Sequence, residues 1–387
     1  MFSPTSWLTV PAVAGAKKGH GMVESYLANK LPIQHPGLTN LLLLLGLVAL
    51  GAATSRRSEP SEPLSMPQTQ QVRGCIILLI VIGHLWTHVS FARPWPNLAG
   101  DSVAAFLFMS GYGVMLSYMN KRPSPATFLK KRFLRILAPY WLATLLFFTL
   151  DKMFLGNTLG MRDAVLTLAG INLNEATRLF DFTRWYVTFQ LFWYMAFIAV
   201  FTVLPIKRGA LVLTAAAPLL FLADYYFIHV DWAKYLAFPA GCLAGLYRKP
   251  IVDFIRRRPT TTMGAAMSSL TVFLMIKYSL YSGQIEWLPS VAKIGMREIN
   301  GLLWTIFLLS TFALLGQVGI NSKAYWCAGA ISYELYLLHG PFLIKYNPVF
   351  FLTTEYGVPL SVSFALLLVL LAGLATILKK TGVRLGR

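Results

Sequence analysis

The chain has 387 residues with 34 Lys and Arg against 15 Asp and Glu, a net charge of +19, yet only 13% of its residues are charged and 56% are hydrophobic. Soluble domains are about one-quarter charged, so a large soluble core is excluded. The repeated apolar runs near membrane-spanning length mark an integral membrane protein.

In chain order the apolar segments are 38–53, 74–91, 101–118, 136–155, 185–205, 209–229, 234–247, 262–281, 298–316, 325–345 and 358–378. The segments 38–53 and 234–247 are short for a full span. The expected fold is all-α: a polytopic transmembrane helical bundle of about ten core spans plus one N-terminal extra span. Residues 1–37 are of mixed polarity, and this long lead makes 38–53 a poor signal peptide. Residues 54–72 are rich in Ser and Pro and read as a flexible linker. A division follows, with 1–65 as an N-terminal extension and 66–387 as the membrane domain.

If the loop 119–135 is cytoplasmic, alternation places 21 of the 34 Lys and Arg on the inner side. That bias follows the positive-inside rule. A basic inner face on anionic lipid accounts for the charge without nucleic acid. Cys75, Cys242 and Cys327 fall in or beside apolar segments, with neither a disulfide framework nor a metal spacing.

Arg73 and His84 stand eleven residues apart at the start of the second segment. On an α-helix that is about 16 Å and close to a whole number of turns. The guanidinium falls at one membrane surface and the imidazole on the same side of the helix, deep in the apolar slab. Ionisable residues at that depth are costly, and so are functional candidates. His88 follows at i+4, a spacing that can bind metal, but no third ligand is evident and no metal is expected. The outer segment 156–184 mixes carboxylates, amides and arginines and ends at Trp185-Tyr186, a composition suited to a polar or sugar-like acceptor or to an ordinary solvated loop.

Four segments together resemble the acyltransferase-3 family of membrane acyltransferases, over about 70–380. They are Arg73-x10-His84; Phe106-Leu-Phe-Met-Ser-Gly-Tyr112; Phe128-Leu-Lys-Lys-Arg-Phe-Leu-Arg135-Ile-Leu-Ala-Pro-Tyr-Trp141, with an Arg-x-x-Arg at Arg132 and Arg135; and Ile331-Ser-Tyr-Glu-Leu-Tyr-Leu-Leu-His339-Gly-Pro. Departures are Gln71 and Val72 where an acidic residue often precedes the first Arg, Tyr112 for a commoner Phe, and Gly340 where a Trp often stands.

The resemblance implies transfer of an acyl group, usually acetyl, from cytoplasmic acyl-CoA to a hydroxyl of a glycan or lipid-linked sugar. No cofactor is expected to be bound; acetyl-CoA is a donor substrate. The expected partners are acyl-CoA, the acceptor and membrane lipids, and the expected location is a bacterial inner membrane. His84 has the side chain suited to take the hydroxyl proton near neutral pH. Arg73, Arg132 and Arg135 suit the phosphates of CoA, because the planar guanidinium binds two oxygens at once. Ser110 and Tyr112, with Gly111 between them, are placed on the donor path, where glycine serves either close helix packing or room for the pantetheine arm. Glu334 is assigned with His84 to catalysis; it pairs with a cation, stays protonated or orients His84. Asp101, Trp185 and His339 are acceptor-facing or structural. A transporter or flippase of a lipid-linked or polar solute is the alternative, with inverted repeats as its mark. No convincing repeat is seen.

Overall fold

The structure, a computed structural model, describes residues 30–90, 92–156, 159–228 and 234–385. Its helices are α1 (Pro36–Ala53), α2 (Met66–His88), α3 (Ala99–Lys121), α4 (Pro125–Leu150), α5 (Met161–Leu168), α6 (Glu175–Phe180), α7 (Trp185–Val203), α8 (Ile206–Ala223), α9 (Ala237–Leu246), α10 (Arg248–Arg257), α11 (Pro259–Ser282), α12 (Ser290–Gln317), α13 (Lys323–Ala330), α14 (Ser332–Ile344), α15 (Pro348–Thr354) and α16 (Leu360–Leu385). Two short strands, β1 (Ser55–Arg57) and β2 (Ile320–Ser322), form an antiparallel ladder. Among the described residues nine helices are long and apolar enough to cross a membrane. The protein is therefore an all-α polytopic bundle.

Start and stop signals set the helix ends. Pro67 occupies the first turn of α2, where its missing N–H costs nothing. α3 stops at Arg122, whose left-handed backbone (φ 38°) reverses the chain, and Ser124 caps α4 by accepting from the Thr127 amide. The most buried span is α2, with Ile76, Ile77, Ile80, Val81 and Trp86 inside the protein.

Two expected segments take a different form. Residues 234–247 yield only the ten-residue α9, about 15 Å long and too short for the ~30 Å hydrocarbon core. It lies flush against α3. A Cβ on Gly111 would sit on the Phe238 carbonyl oxygen, and one on Gly241 on the Phe108 carbonyl oxygen. Gly111 is therefore a packing glycine, of the kind that lets helix backbones touch in a membrane. Gly111→Ala should cost about 1–3 kcal/mol through forced separation of the two backbones. Gly113→Ala, whose Cβ meets open space, should leave the denaturation midpoint of the detergent-solubilised protein unchanged.

The segment 325–345 is broken at Ile331 into α13 and α14. Interrupted backbone at membrane depth persists only where protein or a water-filled cavity meets its free polar groups. Here the Ala330 carbonyl accepts from Lys379, and Gly329, Ala330 and Ser332 line a cavity.

The stretch 54–65, read from sequence as a flexible linker, is tied into the bundle. β1 pairs with β2, Ser61 N–H donates to the Gly316 carbonyl, and Glu62 forms an ion pair with Arg248. Gln71, standing where the family often has an acid, donates to Asn321 Oδ1 (2.6 Å) and accepts from Ser322 N–H (2.7 Å), anchoring β2. Helix ends alternate between two faces. One holds β1, the α3–α4 turn, α10 and the end of α16, with most of the cations; it is called the basic face below. The opposite face holds the ends of α2 and α4, the starts of α3 and α7, and the residues leading into α9 and α12.

Candidate functional site

His84 lies near the end of α2 and His339 on α14. His84 Nδ1 is 2.8 Å from His339 Nε2, and the rings are parallel, with centroids 5.0 Å apart. His339 Nδ1 lies 2.7 Å from the Tyr336 carbonyl oxygen. A carbonyl only accepts, so His339 Nδ1 carries the proton. In the neutral ring its Nε2 then accepts from His84 Nδ1–H. The chain of bonds leaves His84 Nε2 with the free lone pair. Phe182 packs against His84 and His88, with centroids at 5.2 and 4.4 Å, and fixes the ring from the other side.

Two cavities meet near this pair. The larger, about 1030 Å³, opens on the basic face between α2, α3, α4, α7, α14 and α16. Its cations are Arg73, Lys130, Lys131, Arg132, Arg135 and Lys379, against a single carboxylate, Glu334. Ser110 lines it and exchanges a hydrogen bond with Tyr194 (3.1 Å). Arg132 lies over the Phe128 and Tyr194 rings, 5.7 and 6.0 Å from their centroids, which preorganises its guanidinium. The smaller cavity, about 240 Å³, holds His84 with Gly100, Val103, Phe182, Trp185, Lys234 and Arg297. Tyr336 lines both cavities and is the one residue that the two linings share. Its hydroxyl donates to the Thr183 carbonyl (2.6 Å), so the ring stands as a partition at the junction.

The opposite face is braced by a buried ion pair. Arg184 Nε donates to Asp181 Oδ2 (3.0 Å), both side chains being at most 1% exposed. Asp181 Oδ1 also accepts from the Thr183 amide and hydroxyl, and Arg184 donates to Thr144 while lying 4.8 Å from the ring centroids of Tyr140 and Phe180. This node fixes the short turn that presents Phe182 and Trp185. Gly340 belongs to it: a Cβ there would stand 2.8 Å from Asp181 Oδ1 and from Thr183. The bulky residue common in the family at this place has no room here.

The structure thus brings Arg73, Ser110, Arg132, Arg135 and Glu334 to one cavity, and His84 and Trp185 to the other. It places three residues elsewhere. Tyr112 is buried away from both cavities, donating to the Leu64 carbonyl (3.1 Å) and accepting from Arg248 Nε (3.2 Å); it ties α3 to the linker and α10. Asp101 is held in an ion pair with Lys277 of α11. His339 sits behind His84 as its hydrogen-bond partner. That position, rather than Glu334, orients His84, since Glu334 faces the basic cavity. Sequence reasoning did not single out Tyr336, Lys234 or Arg297. Tyr336 stood in plain view in the Ile-Ser-Tyr-x-x-Tyr segment, whereas Lys234 and Arg297 are 63 positions apart and only the fold unites them. Among the described residues no group of three His, Cys, Asp or Glu could hold a metal ion.

The bundle of apolar helices defines a multi-pass membrane protein, with two cavities that share Tyr336 in their linings. Residues 70–378 match the family model described as an acyltransferase domain, so the chain belongs to the acyltransferase-3 family and is an acyltransferase. No curated protein and no solved structure matches it.

Proposed function

We propose that the protein transfers an acyl group, acetyl in the simplest case, from cytoplasmic acyl-CoA to a hydroxyl of an extracytoplasmic or lipid-linked glycan. The observation that carries this reading is the pair of cavities meeting at Tyr336, one rich in cations and the other holding His84. The basic face is the cytoplasmic one by the positive-inside rule. The membrane on this reading is a bacterial inner membrane, with residues 66–387 as the catalytic unit and 1–65 appended.

The phosphates of CoA meet Arg73, Arg132, Arg135 and their lysine neighbours, where bidentate guanidinium contacts are strongest. The pantetheine arm extends past Ser110 and Tyr186 toward Tyr336. Displacement of the Tyr336 ring lets the thioester reach the histidine pair. The acceptor oxygen attacks the thioester carbonyl while His84 Nε2 takes its proton. The C–S bond breaks, the CoA thiolate leaves and is protonated by the His84 imidazolium, and an ester and free CoA result. Glu334, the lone carboxylate of the donor cavity, balances its cations and helps to position Arg135. Direct transfer needs no enzyme nucleophile.

The break between α13 and α14 also suits the alternative of a transporter, which uses such interruptions at its binding site. A transporter would neither hydrolyse nor transfer acyl groups from acyl-CoA. The test is release of CoA thiol from acetyl-CoA by the detergent-solubilised protein with a cell-envelope glycan fraction. Replacing both Arg132 and Arg135 by Gln should raise the KM for acetyl-CoA at least tenfold, since each charged hydrogen bond lost is worth about 1.5–3 kcal/mol. Lys121→Gln and Arg122→Gln, on the same face but outside the cavity, should not. An unchanged KM in the double variant would remove these residues from the donor site.

A further inference from the structure

We propose that the acceptor is an anionic sugar, recognised by Lys234 and Arg297 through a phosphate or carboxylate group close to the hydroxyl that is acylated. This rests on the smaller cavity being the acceptor side. Besides His84, the ionisable groups that line that cavity are Lys234, Arg297 and the phenol of Tyr336, and among the described residues no carboxylate lines it. Both cations belong to the face opposite the basic one, where the charge rule that places Lys and Arg at the cytoplasmic ends of spans gives no reason for them.

Four other cations of that face are matched, whereas among the described residues Arg93, Lys152 and Arg162 form no salt bridge. Lys277 pairs with Asp101, Lys293 with Glu286, Lys345 with Asp151, and Arg184 with Asp181. Among the described residues Lys234 and Arg297 form no salt bridge. Lys234 is only 7% exposed. Its ammonium donates to the Arg297 main-chain carbonyl (3.0 Å), which brings the two residues together at the cavity. The nearby acids are Asp101, already paired with Lys277, and Glu298. Glu298 Oε2 accepts from the Leu236 amide (3.1 Å), which fixes the segment carrying Lys234.

An ammonium held at low exposure with donors to spare, beside an exposed guanidinium, is an anion site awaiting its ligand. Trp185 and Phe182 supply flat apolar walls for a sugar ring next to His84. The volume is below the range for whole drug-sized ligands, so the cavity takes one terminal unit while the rest of the acceptor stays outside.

The test is ligand-observed saturation-transfer NMR of the full chain in detergent. The probes are D-glucuronate, D-glucose 1-phosphate and neutral D-glucose, with octyl β-D-glucuronide as the lipid-linked counterpart of the free acid. The anionic sugars should bind at least ten times more tightly than glucose, a preference that falls as salt is raised. Arg297→Gln, at an exposed position, should abolish it, and Lys293→Gln should not. A stronger signal for the octyl glucuronide than for glucuronate would mark a lipid-linked source, and equal signals a free glycan. Equal affinity for glucose and the anionic sugars, or a preference that survives Arg297→Gln, would overturn the assignment. Anion preference in a protein that releases no CoA thiol with any acceptor would instead overturn the acyltransfer reading of the cavity and leave the anion site standing.

Discussion

Replacing His84 by Ala should reduce acyl transfer by about 10²–10⁴-fold, the usual contribution of a positioned general base, while the protein remains folded. Three features of the site set this expectation. The imidazole lines the smaller cavity together with Tyr336, the residue shared with the larger one. Its Nδ1 is engaged by His339, so the tautomer is fixed with Nε2 ready to accept a proton. Its ring is wedged by Phe182, which limits alternative rotamers. His84→Gln keeps a hydrogen bond to His339 and much of the side-chain volume but has no basic nitrogen. A fall as large for Gln as for Ala, with matched denaturation midpoints, would identify proton transfer as the lost property. His339→Ala should have a smaller effect of a different kind. The base remains but its tautomer is no longer imposed, so the rate should drop and the pH–rate profile should move, whereas a merely structural loss would scale the whole profile. Wild-type transfer by folded His84→Ala protein would remove His84 from the reaction.

The fold was legible where physical constraints are strong and local. Nine of the apolar runs became membrane-length helices, because hydrocarbon requires continuous backbone bonding. The two exceptions came from tertiary contact. α9 packs flush on α3 through glycines of both helices, and at the α13–α14 break Lys379, some fifty residues on, satisfies the freed Ala330 carbonyl. The β1–β2 ladder was hidden for the same reason: three residues on each side carry no periodic signal until the chain folds them together. For the site, helical spacing and charge were enough to single out Arg73, His84, Arg132 and Arg135. The partner of His84 was not readable, since Glu334 and His339 lie on one helix and only the packing of α14 against α2 decides which reaches the imidazole. Tyr112 misled because residues i and i+2 on a helix point to different sides; Ser110 lines the larger cavity and Tyr112 does not.

The second large effect is expected at Arg184, which touches neither proposed substrate. Arg184→Ala should destabilise the protein by about 3–5 kcal/mol, the usual cost of leaving one partner of a buried ion pair uncompensated. Asp181 would keep its bonds from Thr183, but its carboxylate would stay almost fully buried without the guanidinium. Tyr140 and Phe180 would also lose the cation between them. The double replacement Asp181→Asn/Arg184→Met removes both charges and fills the space, so it should recover most of the denaturation midpoint, as apolar substitutes for buried ion pairs often do. Activity should not recover with it. Thr183, whose hydroxyl and amide are held by Asp181 Oδ1, offers its carbonyl to Tyr336, and the same turn presents Phe182 and Trp185 to the His84 cavity. The carboxamide introduced by Asp181→Asn retains an acceptor for Thr183 but loses the charge-assisted strength of that bond, which loosens the partition between the cavities. A double variant that regains stability yet hydrolyses acetyl-CoA without acceptor would show that the ion pair also keeps donor and water apart. Full recovery of acceptor-dependent transfer would confine the pair to a role in folding.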